Sequence, residues 1–288
     1  MAKKPNLGFI GAGTVGTALA VSSSRAGYRV VAVADINLAA AKRLGALIPD
    51  CPVYEAAQDV VNASDHVFIT TPDDTIAAAT AALEWRPDQN VVHCSGAASL
   101  DILESARKGG ASVGSFHPCQ TFASIEQAIR NLPGTTFAIE AEPPLLETLQ
   151  HMSGSLGGEW IVLKPGDKAL YHAAAVFACN YLVTLTQTAI DLFHHFDVPA
   201  SRAIKILTPL LQGTINNVQT VGLPHSLTGP IARGDVNTIR KHLDVLAEKA
   251  PHLLALYREL ASHTIPIALA KGTLNRHSRE QLEQLLKA

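Results

Sequence analysis

The chain has 288 residues, 47% of them hydrophobic, and a formal net charge of −2; this excludes a disordered chain and leaves room for one large or two ordinary domains with cores of their own. Lysine and arginine are scattered, and the array of aromatic platforms used to bind single strands is absent, so nucleic acid is not an expected partner. The four cysteines, Cys51, Cys94, Cys119 and Cys179, form no C-x-x-C pair, so reduced thiols in the cytoplasm are expected and a metal site is not.

Lys3 and Lys4 precede a short apolar run, Leu7-Gly8-Phe9-Ile10, that breaks at glycine. It reads as a first strand, not a signal peptide. No apolar run in the sequence approaches the ~20 residues of a membrane helix, so no membrane partner is expected. The first strand runs into Gly11-Ala12-Gly13-Thr14-Val15-Gly16, which fits G-x-G-x-x-G. An alanine-rich helical pattern follows to near Gly27, and a second apolar run, Val30-Val31-Ala32-Val33-Ala34, stops at Asp35. Each part has a physical role. Gly11 permits a tight turn, Gly13 lets the backbone approach a pyrophosphate, and Gly16 lets the helix pack on the strand. The helix N-terminus offers unpaired N–H groups, including those of Thr14 and Val15, to the phosphates. Asp35, about 20 residues past the glycines, is placed to accept ribose hydroxyls. Strand, turn, helix, strand and acid together make a dinucleotide site from residues 11–16 and Asp35.

Next come a helix over 38–47, a short third strand over 50–54, a helix over 56–62 and a fourth strand over 66–70. Thr71-Pro72-Asp73-Asp74 caps a helix over 75–83. A fifth strand over 90–93 leads into Cys94-Ser95-Gly96-Ala97. A helix over 100–108 and a sixth strand over 111–116 end at His117-Pro118. This alternation predicts an α/β fold, a doubly wound parallel sheet of Rossmann type covered on both faces. Ligands of such sheets lie outside the carboxyl ends of the strands. Thr71 and Pro72 are expected on the adenosine side there, and Ser95 and Gly96 beside the nicotinamide ribose. A strand over 135–139, a helix over 144–156 and a last strand over 159–163 complete a domain of residues 1–164. After the break at Lys164-Pro165-Gly166 the pattern turns all-α over 165–288. Its helices are expected over 167–196 (about eight turns), 201–218, 236–247 and 251–271, with an amphipathic tail over 279–286.

This order resembles the 6-phosphogluconate dehydrogenase-like superfamily, which includes pyrroline-5-carboxylate reductase, β-hydroxyacid dehydrogenases, ketopantoate reductase and prephenate dehydrogenase. It resembles more closely the Rossmann-like plus DUF2520 family of predicted oxidoreductases. The residues that carry the match are Gly114-Ser115-Phe116-His117-Pro118-Cys119-Gln120-Thr121-Phe122, Tyr171-His172-Ala173-Ala174 with Asn180, and Leu227-Thr228-Gly229-Pro230-Ile231-Ala232-Arg233-Gly234-Asp235. The resemblance implies an NAD(P)-dependent dehydrogenase or reductase, and a homodimer formed through the second domain. One departure bears on the cofactor. Many relatives have a basic or small polar residue after strand two, where this chain has Asp35-Ile36-Asn37. A carboxylate there repels a 2′-phosphate, so NAD(H) is preferred, with NADP(H) the alternative.

Three residues are candidates for the chemistry. His117 follows strand six at the cofactor end of the sheet, where an imidazole can give or take the proton that carbonyl reduction requires; the alternative is a histidine that fixes the Pro118 turn. His172 and Asn180 lie on the long helix, where relatives place a Lys and an Asn against nicotinamide and substrate. The Lys-x-x-x-Asn spacing is not reproduced, although Lys168 and His172 are four apart and share a face. Asn180 begins a polar line with Thr184, Gln187 and Asp191, which the contact face of a buried helix would equally explain. Thr228-Gly229-Pro230 reads as a helix start whose N–H groups, with Arg233, suit a substrate carboxylate; the alternative is a capped turn with a surface arginine. His194-His195 point apart on a helix and do not make a metal pair. The expected function is hydride transfer between the cofactor and a small oxo or hydroxy acid held between the domains, with a ketopantoate-like 2-oxo acid as the first substrate to try. Reduction of a cyclic imine of the pyrroline-5-carboxylate type is the alternative within the class. A dinucleotide-binding sensor without turnover is the alternative outside it.

Overall fold

The structure, a computed structural model, describes residues 4–287; Lys3, noted above, lies outside them. The chain forms two compact units, Met1–Asn180 and Tyr181–Ala288.

The first unit follows the predicted alternation. In chain order its elements are β1 (Asn6–Ile10), α1 (Thr14–Arg25), β2 (Arg29–Ala34), α2 (Leu38–Gly45), α3 (Ala57–Ala63), β3 (His66–Ile69) and α4 (Ile76–Ala81). Then come β4 (Asn90–His93), α5 (Glu104–Lys108), β5 (Ser112–Pro118), α6 (Ile125–Asn131), β6 (Thr136–Ala141), α7 (Leu145–Ser155), β7 (Glu159–Val162) and α8 (Lys168–Ala178). The strands form one seven-stranded sheet in the order β2-β1-β3-β4-β5-β6-β7. Neighbours pair in parallel except β5 and β6, which are antiparallel. The sheet is thus mostly rather than wholly parallel. The expected strand over 50–54 shrinks to one bridge, Val33 to Val53. Pro52 lacks the N–H a longer ladder needs. Helix α6 was not read from the sequence; Ser124 caps it, its hydroxyl accepting from the Gln127 N–H at 3.2 Å.

Both faces of the sheet are covered. On one, Phe9 stacks on Phe68 at 5.1 Å between ring centroids and Phe116 on Phe137 at 4.3 Å, under Leu19 of α1 and Leu149 and Met152 of α7. On the other, Ile10, Val67, Ile69 and Val91 pack under Val60 and Val61 of α3, Ile76 of α4 and Ala106 of α5. These buried rows hold the carboxyl ends of β1, β3, β4 and β5 at one edge, where the glycine turn and His117 emerge.

The last strand ends at Val162, and the compact units part at Asn180 rather than at the expected 164, because the start of α8 is tied to the first unit: Lys168 is 3% exposed and donates to the Ser95 carbonyl at 2.8 Å. The helix expected over 167–196 is interrupted at Cys179 (φ −113°, ψ −66°) and resumes as α9 (Asn180–Phe193). The second unit continues with α10 (Ala200–Val221), α11 (Val236–Lys249), α12 (Leu254–Lys271) and α13 (Arg276–Lys287). Its core joins Ile239 and Leu243 of α11, Ala261, Ile265 and Ala268 of α12, and Leu282 and Leu286 of α13. Contrary to the expectation that no segment is long and apolar enough for a membrane, Lys168–Phe196 is so by length and composition. Its most apolar stretch has a mean hydropathy of 1.4 and is 6% buried.

Candidate active site

The glycine turn is built as its spacing implies. Gly11 has φ +107°, a conformation side chains disfavour. A Cβ on it would stand 2.6 Å from the Thr70 carbonyl carbon, and one on Gly16 would overlap the Gly11 carbonyl oxygen. Thr70 Oγ1 donates to the Gly11 carbonyl at 2.7 Å and ties the turn to β3. Gly13 has no neighbour within 4 Å of where a Cβ would stand. It caps α1 without a side-chain bond, so the first amides of α1, at Thr14, Val15 and Gly16, remain for a ligand. Asp35 follows β2: one carboxylate oxygen accepts from the Ala12 N–H at 2.6 Å and the other from the Asn37 N–H at 2.7 Å. The carboxylate therefore anchors the turn, and its remaining lone pairs are what a ribose would use. A tight turn, an open glycine, free helix amides and a carboxylate at the neighbouring strand end fit a dinucleotide.

At the same edge, polar groups from β3, β4, β5 and α8 converge. Ser95 donates to the Asp73 carboxylate at 2.5 Å and accepts from the Ala98 N–H at 3.1 Å, so its hydroxyl shapes its own loop. The Lys168 ammonium donates to the Ser95 carbonyl at 2.8 Å. His117 Nδ1 lies 2.8 Å from the Tyr171 hydroxyl, and the His117 and His172 rings are 6.3 Å apart. Gly96 leaves room for this meeting, since a Cβ there would be 2.7 Å from His172 Cδ2 and 2.8 Å from His117 Nε2. Thr71 Oγ1 is buried with no hydrogen-bond partner among the described residues.

Burial sets the charge states. It lowers His117 to about 4, with Lys168 and His172 pushing the same way. His93, buried behind Ser95, falls to about 3 through burial, Lys168 and His117. Burial raises the Tyr171 hydroxyl. Lys168 is lowered to about 8 by burial, against the pull of Glu140, Cys94 and Asp73. His117 was expected to give or take a proton; held as a neutral imidazole near neutral pH, because burial beside an ammonium disfavours a second positive charge, it has no imidazolium proton to give. The protonated group here is Lys168.

Of the expected residues, the structure brings together the glycine turn, Asp35, Ser95, Gly96, His117 and His172. Asn180 lies about two turns beyond His172, past the break at Cys179 and exposed. Lys168, Tyr171 and Asp73 were not among the sequence candidates for the chemistry. No helix begins at Thr228: residues 229–234 are turns, and α11 starts at Val236, with Asp235 accepting from the Thr238 N–H at 3.0 Å. Pro230 fits those turns as well as a helix start, which is why it misled. Within the second unit, Thr228, Gly229 and Arg233 line an open cavity of about 460 Å³ with Lys271 and Thr273. Two cations and two hydroxyls without a lining acid suit an anionic group.

Residues 2–118 match the Rossmann-like domain family, and residues 135–264 match DUF2520, a domain of unknown function. No curated protein gave a match. Among solved structures, a Thermotoga maritima protein aligns over 92% of this chain and 99% of its own at 22% identity and a TM-score of 0.74. A protein of Bacteroides fragilis described as an NADP oxidoreductase aligns over 91% and 98% at 24% identity and 0.71. An imine reductase of Myxococcus stipitatus in complex with NADP+ aligns over 98% and 100% at 19% identity and 0.61. At these identities the likeness is one of fold.

Proposed function

The chain belongs to the proteins that join a Rossmann-like domain to DUF2520, and from that premise we propose that it is an NAD(P)-dependent oxidoreductase acting on a polarised C=O or C=N group of a small molecule. The observation that carries this is the convergence, at the sheet edge that also carries the glycine turn, of His117 and His172 against Gly96, of Lys168 on the neighbouring Ser95 carbonyl and of Tyr171 on His117. The residues of that turn and Asp35 would hold the dinucleotide, whose nicotinamide supplies or takes the hydride. Reduction leaves an oxygen or nitrogen that needs a proton. The Lys168 ammonium, mostly charged below about pH 8, gives it. The neutral His117 imidazole, fixed by the Tyr171 hydroxyl, orients the same atom by a hydrogen bond. Ser95, pinned by Asp73, keeps the Lys168 nitrogen in place through its carbonyl.

A small oxo or hydroxy acid is the first substrate class, with a ketopantoate-like 2-oxo acid leading the panel. Cyclic imines are the second, favoured by the fold shared with the Myxococcus imine reductase. Asp35 makes NAD(H) the preferred cofactor, since a 2′-phosphate beside it meets like charge. The test is a panel of oxo acids and cyclic imines with NADH and NADPH, read by loss of cofactor absorbance, with calorimetry of both cofactors. Turnover of one class supports the proposal. Tight cofactor binding without turnover across a broad panel would make the protein a sensor, and absence of dinucleotide binding would end the reading altogether. Tighter NADPH than NADH binding would overturn the cofactor preference alone.

A further inference from the structure

A single row of residues crosses five strands in register: Ile10 of β1, Ile69 of β3, His93 of β4, Ser115 of β5 and Glu140 of β6. Directly opposed residues share a face of the sheet, so the row passes from apolar to polar midway. The polar half is buried: His93 and Ser115 are 0% exposed and Glu140 is 6%. His93 Nε2, Ser115 Oγ and Glu140 Oε2 have no hydrogen-bond partner among the described residues. A buried carboxylate is costly unless an opposite charge lies near. Among the described residues the buried cation is Lys168, whose ammonium is anchored at the Ser95 carbonyl, in the loop just after His93.

We propose that Glu140 is a positioning residue for the reaction: its buried carboxylate is the counter-charge that keeps the Lys168 ammonium protonated. Without it, a lysine so deeply buried beside two histidines gives up its proton at a lower pH and donates one over a narrower range. The proposal rests on the reading of Lys168 as proton donor. The groups that act on Lys168 are Glu140 of β6, Cys94 after β4 and Asp73 after β3, all of which favour its charge. His93 and His117 also interact with it but are held neutral. Glu140 itself feels Lys168 and Arg107 in one direction and Asp101 and Asp167 in the other, with burial the largest influence. Asp73 is exposed, where solvent screens its charge, and Cys94 is kept a neutral thiol by burial, which leaves Glu140 as the principal buried negative charge.

The test needs no substrate. Full-length protein carrying carbon-13 at lysine Cε is titrated by NMR, with Lys168→Met identifying the signal. Glu140→Gln, of equal size, is expected to lower the Lys168 midpoint by about one pH unit or more, and Glu140→Asp, which restores the charge, to recover most of it. An unchanged midpoint in a folded Glu140→Gln overturns the proposal. If Glu140→Gln does not fold, the reciprocal measurement decides. In Lys168→Met the Glu140 carboxyl midpoint must rise by a similar amount, because the coupling is mutual, and no rise overturns it. A Lys168 shift together with an unaltered pH profile of turnover would leave Glu140 as the counter-charge of Lys168 but remove both from the chemistry, so the electrostatic coupling and the reading of Lys168 as donor fail separately. If both hold, the alkaline limb of kcat moves down in Glu140→Gln by the same amount while KM stays nearly constant.

Discussion

Lys168 shows how much a single residue's meaning depends on what folds over it. On the sequence it opens an apolar helix, four residues before His172, and resembles a surface lysine at a helix start. In the fold it is 3% exposed, bonded to the Ser95 carbonyl and lowered to about 8. The face-sharing of Lys168 and His172 was the available signal; the burial that gives it weight comes from the distant strands β4 and β6. His117 was legible by position, because a histidine at a strand's carboxyl end falls in the cleft, but its charge was not, since that depends on its burial first and then on Lys168 and His172. The proton donor is thus distinguishable by experiment. Lys168→Met is expected to lower kcat by about 10²–10⁴-fold with dinucleotide affinity nearly unchanged. His117→Asn, which keeps a hydrogen-bonding group, is expected to cost less. The pH profile carries the sign: activity in the reductive direction is full below about pH 8 and falls above it, as Lys168 loses its proton. A profile that instead fell with a midpoint near His117's ordinary range would return the role to the histidine.

The glycine turn is the element the sequence specifies most completely, because its requirements are local. Gly11 needs φ +107°, Gly16 must let α1 meet the Gly11 carbonyl, and Asp35 is fixed by the end of β2; each is set within one strand–helix–strand unit. Elements that depend on partners were less readable. The stretch over 50–54 has strand composition, yet Pro52 limits it to one bridge, and the reversed direction of β6 is a property of the pairing with β5. The turn's three glycines separate folding from binding. Gly13→Ala meets nothing within 4 Å, so its melting temperature is expected to stay within about 2 °C of the parent, as for a substitution worth less than ~0.5 kcal/mol. Its dinucleotide affinity is expected to fall about tenfold or more, because a methyl group stands where the pyrophosphate must approach. Gly11→Ala places a side chain in the left-handed region against the Thr70–Thr71 backbone and is expected to lose at least 1–3 kcal/mol or so of stability. Equal losses of stability in both variants, read by thermal melts beside calorimetry, would deny Gly13 its role.

At the scale of the whole molecule two features set its response to conditions. His66, His93 and His117 are all held neutral by burial, at about 4, 3 and 4. Their folded values lie below the ordinary 6.5, so the unfolded chain takes up protons first as pH falls. Their contribution is therefore intact above about pH 6.5 and is lost as pH falls from there toward 4. Each histidine adds about 1.4 kcal/mol per pH unit to that loss, or roughly 4 for the three together. Glu140, raised by burial, works in the opposite sense but singly. Urea midpoints are expected to drop steeply between pH 6.5 and 5, and His66→Gln, at the opposite end of β3 from the site, to remove about a third of the slope; a flat profile would contradict the buried charge states. The second feature is the uncovered surface of α9 and α10. Among their residues only Ile190 and Ala203 are buried, while Val183, Leu210, Ile215 and Val221 are 53–68% exposed. Among the described residues, the core of the second unit is made by α11, α12 and α13, and α9 and α10 take no part in that cluster despite their apolar composition. A helix of the length of α10 spans about 33 Å, enough with α9 to furnish the ~800 Å² per partner that a standard interface buries. We therefore propose a homodimer through α9 and α10. Light scattering is expected to give the dimer mass across a micromolar dilution series, and Leu210→Glu, which buries a charge in the interface, to shift it to monomer with the first unit's dinucleotide affinity retained. Because Lys168–Phe196 also meets the length and composition of a membrane span, the same preparations are floated with lipid vesicles. A monomer that floats with the vesicles would assign the apolar surface to lipid and remove the dimer, whereas a dimer that stays in solution places a second copy of the chain on it.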